Sequence, residues 1–237
     1  MNGIDFERAI KSPFRDAEWI TKTLLGLVFY LLVVTAPAVI GAGLDYLRGV
    51  RAGEENRLPR WDRFGDQWVR GLLVILAGII YSLPLVLLAV AFALPPLFAA
   101  LAGEYEAAGV FGVSLLFIYG FIALIYGVAL SVFFLAATAH YAVEERFGAF
   151  FEVGQIWRRV RADGSYWMAW LFAIALSILG SIVSSVLTAT VLGILLVPAV
   201  GYLQVMMTAH LFGQWARRVY GSPEPPAANT EVPAVEG

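Results

Sequence analysis

An all-α, polytopic membrane bundle is the fold this sequence predicts, and three observations predict it. Residues 164–216 contain no Asp, Glu, Lys or Arg. About 20 apolar residues at 1.5 Å rise cross the hydrocarbon core of a bilayer, so this run is long enough to cross twice. Gly193 and Pro198 interrupt it near its middle, which suits two helices rather than one. Further uncharged runs at 23–44, 71–103 and 107–143 are also of spanning length. The chain is 60% hydrophobic and 14% charged, with a mean hydropathy of +0.77. Soluble domains carry roughly 25% charged residues, so the deficit makes lipid the main solvent.

Composition excludes several chemistries. Without Cys there is no disulfide, no thiolate nucleophile and no Cys-ligated zinc or iron–sulfur cluster. A net charge of −2 argues against a broad nucleic-acid surface. The basic residues matter by position instead.

The elements follow in chain order. Residues 1–22 mix charge with Phe6, Phe14 and Trp19 and read as an interfacial segment broken at Pro13, with Asp16 placed to cap the next helix. Residues 24–38 end in Ala36-Pro37-Ala38 like a signal peptide, but the region before them is long and acidic as well as basic. The first apolar segment, about 23–47, is cut by Pro37, Gly41 and Gly43 and either crosses once or turns back at Pro37. A connector at 48–70 carries six arginines with Asp45 just before it. The second segment, about 71–101, carries Pro84 as a kink and Pro95-Pro96 as a stop. Glu104 and Glu106 mark a short acidic turn before the third, about 109–143. A charged connector at 144–164 leads to segments at about 165–188 and 195–216. Residues 217–237 read as a disordered tail.

All sixteen basic residues fall in the N-terminal segment, the two arginine-rich connectors and Arg217-Arg218. By the positive-inside rule those parts and the C-terminus face the cytoplasm of a cell membrane crossed several times. Turning back at Pro37 brings the N-terminus to the same side, so the hairpin is preferred over a single crossing. Three tripeptides recur and are compatible with internal repetition: Pro37-Ala38-Val39 with Pro198-Ala199-Val200, Arg63-Phe64-Gly65 with Arg146-Phe147-Gly148, and Thr138-Ala139-His140 with Thr208-Ala209-His210.

Five groups of residues carry a resemblance: Pro13-Phe14-Arg15-Asp16 before Trp19; Leu58-Pro59 with Trp61-Asp62; Phe64-Gly65-Asp66 ahead of Gly71; Ile156-Trp157 with Ala162-Asp163 before Tyr166; and Ala209-His210-Leu211-Phe212-Gly213-Gln214. In this order they resemble the domain-of-unknown-function family 4013 over roughly residues 14–218. The resemblance implies a small polytopic membrane protein of bacteria or archaea and carries no activity with it. The Arg51–Glu55 turn is similar to membrane domains attached to glycerophosphodiester phosphodiesterases, but their soluble catalytic domain has no counterpart in this sequence.

Candidate sites are few. His140 and His210 form a polar pair, the only side chains that titrate near neutrality unperturbed. With Glu144 one turn from His140 they would bind a metal or relay protons if the two Thr-Ala-His ends met; otherwise they cap packing at the membrane boundary. Gly180 with Ser177, Ser181, Ser184 and Thr188 suits close helix packing or a polar path, as do Tyr119, Gly120, Tyr126 and Gly127. Gln204 suits a bond between helices, and Arg48 is placed to pair with Asp45. The connectors are more informative. Phe147, Phe150, Phe151, Trp157 and Val160 fall on one face of an amphipathic helix, with Glu152, Gln155, Arg158 and Arg159 turned away. Trp61, Phe64 and Trp68 give the other connector a similar character. Trp61, Phe64, Trp68, Phe147, Phe151, Trp157, Arg158, Arg159 and Arg161 are therefore the residues expected to meet anionic lipid headgroups or a membrane-protein partner.

The sequence shows no catalytic motif, cofactor loop or buried carboxylate pair. The expectation is a non-catalytic integral membrane module without cofactor or metal. It would bind lipid headgroups, another membrane protein or a second copy of itself, and no nucleic acid. The alternative is a small oligomeric transporter or channel.

Overall fold

A computed structural model describes residues 3–223, and every regular element within them is helical. α1 (Phe6–Lys11) starts at Asp5, whose side chain accepts the Arg8 amide, and runs into a 3-10 turn holding Pro13. Three helical hairpins follow: α2 (Trp19–Leu31) with α3 (Ala36–Ala52), α4 (Phe64–Leu101) with α5 (Tyr105–Glu144), and α7 (Ser165–Leu187) with α8 (Val191–Tyr220). α6 (Val153–Ala162) lies in the connector between the second and third.

α4, α5, α7 and α8 are long and apolar enough to cross a membrane. This is an integral membrane protein. The 38 residues of α4 and 40 of α5 give lengths of about 57–60 Å. α7, with 23 residues, reaches only about 35 Å. The hydrocarbon core is about 30 Å thick, so the α4–α5 hairpin exceeds it far more than α7 does.

Three boundaries differ from the sequence expectation. The first apolar segment is not one helix: α2 ends at Leu31, and the chain turns through residues 32–35 before Pro37 rather than at it. Proline lacks only an amide that the first helical turn leaves unbonded, so Pro37 starts α3 instead of breaking it. Pro95-Pro96 does not stop α4, which continues to Leu101. Surrounded by lipid, the backbone has no water to take its place in the hydrogen bonds, and the helix persists through proline. The tail begins later than residue 217, because α8 runs to Tyr220. Residues 224–237, expected as disordered, lie outside the described residues.

The returning helices α3, α5 and α8 meet one another, with α2, α4 and α7 alongside. α3 and α8 run parallel: Gly43 lies against Val205, and Gly213 against Val50 and the Leu47 carbonyl. Pro37-Ala38-Val39 and Pro198-Ala199-Val200 therefore stand at nearly the same level of neighbouring helices. α3 and α4 are antiparallel and in backbone contact, Gly41 on Gln67 and Gly71 on Pro37. Tyr126 donates to the Tyr81 carbonyl (2.6 Å), tying α5 to α4. Gln204 donates to the Leu176 carbonyl (3.0 Å), tying α8 to α7 above Gly180.

The α2–α3 hairpin is short, with 13 and 17 residues. Its tip bears Val33 and Val34, 84% and 77% exposed, and is held by a bond from the Trp68 indole to the Val34 carbonyl (2.7 Å). Tyr30 packs beside Gly201, at mid-length of α8. The hairpin thus penetrates part of the way and returns.

Asp16 anchors its entry. Its carboxylate accepts the Glu18 amide (2.7 Å), the Leu58 amide (2.8 Å) and the Lys22 ammonium (2.7 Å). Burial pushes the carboxyl up, but the Lys22 bond and the two amides outweigh it and the net displacement is downward. A lowered carboxyl stabilises the fold above its unfolded-state value, about 3.9, and that contribution is lost as pH falls through the folded value. Wild-type protein in detergent should lose stability below about pH 4, and Asp16→Asn should be less stable at neutral pH and lose less on acidification. Equal pH slopes for the two in denaturant titrations would rule this out.

Candidate functional site

Polar side chains concentrate at the arginine-rich end of the bundle. A polar cavity of about 680 Å³ lies between the starts of α2 and α4 and the end of α3, lined among others by Asp16, Lys22, Asp45, Arg57, Arg60 and Arg63. Besides Asp16, Asp45 is its other strongly engaged acid. Arg70 reaches it at 2.5 Å, Arg48 at 3.5 Å and the Gln67 amide at 3.1 Å. The sequence pointed to Arg48; Arg70 comes from the next helix and is much closer. Arg48 is shared with Glu145 (2.9 Å) and the Ala142 carbonyl (2.6 Å), which locks α3 to the end of α5. Arg217 ties the end of α8 to the end of α3, donating to the Val50 and Arg51 carbonyls and to Glu55.

The two histidines do not share a partner. His140 is fully buried, with Nδ1 2.8 Å from the Tyr220 hydroxyl and Nε2 3.0 Å from the Glu152 carboxylate. A carboxylate only accepts, so the neutral ring carries its proton on Nε2 and the Tyr220 hydroxyl donates to Nδ1. The bond from His140 holds the Glu152 carboxyl below its ordinary value, against the cost of desolvation and with the help of Arg146. Glu144, expected to join His140 from the same helical face one turn on, pairs with Arg146 at 3.6 Å instead. His210 Nδ1 lies 3.0 Å from the Gln214 amide, which also bonds the backbone of Asp5. Among the described residues no three His, Asp or Glu side chains are grouped to hold a metal ion. Each histidine joins elements: His140 the ends of α5 and α8 to the start of α6, and His210 with Gln214 the N-terminus to α8.

The nine connector residues divide. Trp61 is half-buried against Phe29 and Tyr202, Phe64 packs on Phe29, and Trp68 holds the hairpin tip. These three face the bundle. Phe147 packs on Phe151, which stacks on Tyr81 at 5.5 Å while staying 38% exposed. The single amphipathic helix expected here is instead a 3-10 turn (Phe147–Phe151) and α6, separated at Glu152, because that carboxylate turns inward to His140. The apolar side of α6 is Ile156 and Val160, buried against the protein, whereas Trp157 points outward. Arg159, expected outward, lies 3.9 Å over the Tyr220 ring and donates to the Val219 carbonyl. Arg158 and Arg161 are exposed, with the Arg161 guanidinium 4.9 Å above the Trp157 ring.

Sequence reading missed the Glu152–His140–Tyr220 chain. Glu152 follows His140 by twelve positions, too far for one helical face, and Tyr220 closes the third hairpin. The one available signal was an acid preceding an amphipathic helix, where a carboxylate is usually an N-terminal cap.

No curated protein and no solved structure matches this chain. A family match covers residues 24–189, which takes in α2 from Leu24 onward, α3, the whole α4–α5 hairpin, α6 and α7. The chain belongs to the family described as Protein of unknown function (DUF4013).

Proposed function

We propose that this protein is a non-catalytic membrane module that binds anionic phospholipid headgroups through its arginine-rich end, with that end and both termini on the cytoplasmic side of a cell membrane. The observation that carries the reading is the outward stripe of α6. Val153 is 54% exposed, Trp157 is exposed, and Arg158 and Arg161 stand beside them without an ion pair among the described residues. An apolar residue, an indole and two free cations on one stripe match the boundary between acyl chains and phosphates. Arg57, Arg60, Arg63 and Arg218 are also exposed and make no ion pair among the described residues, so the same end presents further free cations. Arg48, Arg70 and Arg217, by contrast, are engaged in holding helices together.

The test uses full-length protein in nanodiscs of phosphatidylcholine with graded phosphatidylglycerol, read by energy transfer from the tryptophans to a labelled anionic lipid. Each cation near an anionic surface contributes about 1 kcal/mol. Arg158→Gln with Arg161→Gln should therefore weaken enrichment of the anionic lipid by about 2 kcal/mol, or some thirtyfold. Zwitterionic lipid should be unaffected, and raised salt should shrink the difference. Arg159 is left in place because it serves Tyr220. An unchanged enrichment would mean that these arginines meet a protein partner instead.

A further inference from the structure

A second cavity, of about 300 Å³, lies at membrane depth where α2, α3, α5, α7 and α8 meet. Its wall is mostly apolar and, among the described residues, includes no Asp, Glu, Lys, Arg or His. Five polar side chains reach it: Tyr30, Thr138, Ser177, Gln204 and Thr208. Thr138 and Ser177 are satisfied by the backbone of their own helices, donating to the Phe134 and Ala173 carbonyls. Gln204 uses one amide hydrogen on the Leu176 carbonyl and leaves its own carbonyl oxygen free. Tyr30, 38% exposed at the mouth of the cavity, and Thr208 make no side-chain hydrogen bond among the described residues.

What sets the cavity apart is that three such groups converge on it; the buried Tyr202 hydroxyl of α8 also lacks a partner among the described residues but is not part of this wall. Tyr81, Tyr126 and Tyr166, all on the long helices, each donate to a backbone carbonyl of a neighbouring element. Hydrocarbon offers nothing to a free hydroxyl, so a polar group at this depth without a protein partner calls for another molecule. The position of these groups is built in. A methyl group at Gly180 would stand 1.9 Å from the Gln204 amide nitrogen, and one at Gly201 3.0 Å from the Tyr30 ring. Glycine at both places lets Gln204 and Tyr30 lie flat against α7 and α8 at the edge of the cavity.

We propose that this cavity binds the apolar chain of a membrane lipid that carries an uncharged hydroxyl, a long-chain fatty or isoprenoid alcohol. The hydroxyl donates to the free Gln204 carbonyl and accepts from Tyr30 or Thr208. An ionised headgroup does not belong here, because the wall offers no counter-charge and burying an unpaired ion is prohibitive. A plain alkyl chain would fill the volume and leave three polar groups unanswered. The site is separate from the arginine-rich end and stands or falls independently of headgroup binding.

The test is photo-crosslinking of the full chain in phosphatidylcholine nanodiscs with a diazirine-bearing long-chain alcohol, followed by peptide mapping. Saturable adducts should concentrate in residues 201–212 of α8 and 40–47 of α3, and unlabelled alcohol should displace them where an alkane of equal length does not. Tyr30→Phe with Thr208→Val should lower adducts at the cavity about tenfold. Labelling of the exposed faces of α4 and α5 should stay constant and serves as the internal reference for a folded, inserted protein. The wild-type mapping and competition decide the matter even if the double variant fails to fold. Adducts spread in proportion to lipid exposure would overturn the proposal, as would equal displacement by the alkane, or undiminished cavity labelling in a folded double variant.

Discussion

Gly71→Ala is expected to prevent the bundle from forming, and Gly41→Ala to do nearly the same. A methyl group at Gly71 would stand 1.7 Å from the Pro37 carbonyl oxygen and 3.0 Å from the Gly41 amide nitrogen. One at Gly41 would stand 1.8 Å from the Gln67 carbonyl oxygen. The obstacle in each case is backbone, which cannot rotate aside as a side chain does, so α3 and α4 would have to separate along their whole contact. Overpacking between side chains costs about 1–3 kcal/mol; separating two backbones should exceed about 4 kcal/mol, beyond the usual range for one substitution. Gly120→Ala and Gly127→Ala are the controls, since no atom lies within 4 Å of an added methyl. They should be neutral or gain up to about 1 kcal/mol from helix propensity. Unfolding titrations in mixed micelles, with size exclusion as a check on dispersity, separate the two pairs. Wild-type stability in Gly71→Ala would mean that the helices do not touch as described.

The second large effect is expected at Asp45. Its side chain is 12% exposed, and those of Arg48 and Arg70 are 21% and 18% exposed. Asp45→Asn removes the only carboxylate that Arg70 pairs with among the described residues; its remaining bond there is to the Asp66 carbonyl at 3.2 Å. A mostly buried cation left without its acid costs about 3–5 kcal/mol, and partial exposure puts this case near the lower end. Arg70→Gln added to Asp45→Asn should recover part of the loss, because no unpaired charge is then left on α4. A loss under about 0.5 kcal/mol in Asp45→Asn would show that solvent already screens the cluster.

These sites mark how far the sequence could be read. The four long helices were legible because uncharged length is an additive property of the chain, and lipid imposes it on every spanning segment. The α2–α3 break was legible as a choice, through Pro37 and the grouping of basic residues, but its position was not. Proline is equally at home as a helix start, and only packing against Gly71 places it there. The connectors were read least well. Periodicity identifies an apolar face without saying whether lipid or protein covers it, and Trp61, Ile156 and Val160 turned out to be covered by protein. Glu152 and Arg159 were assigned to the outer face for the same reason. Their partners, His140 and Tyr220, are brought in by tertiary packing, which no local spacing encodes.

The incomplete penetration of α2 and α3 bears on the order in which this molecule can be assembled. Neither arm has the roughly 20 residues that allow independent residence in a bilayer, and its tip exposes backbone that neighbours must cover. One of those neighbours, α8, is synthesised after every other helix among the described residues. Tyr202, which covers Gly26, emerges long after α2 itself, on the order of ten seconds or more at typical elongation rates. The α3 arm can pack on α4 as soon as that helix follows, but the wall that covers α2 is complete only once α8 has been made. A chain halted before α8 would leave Gly26 and the face of α2 around it uncovered.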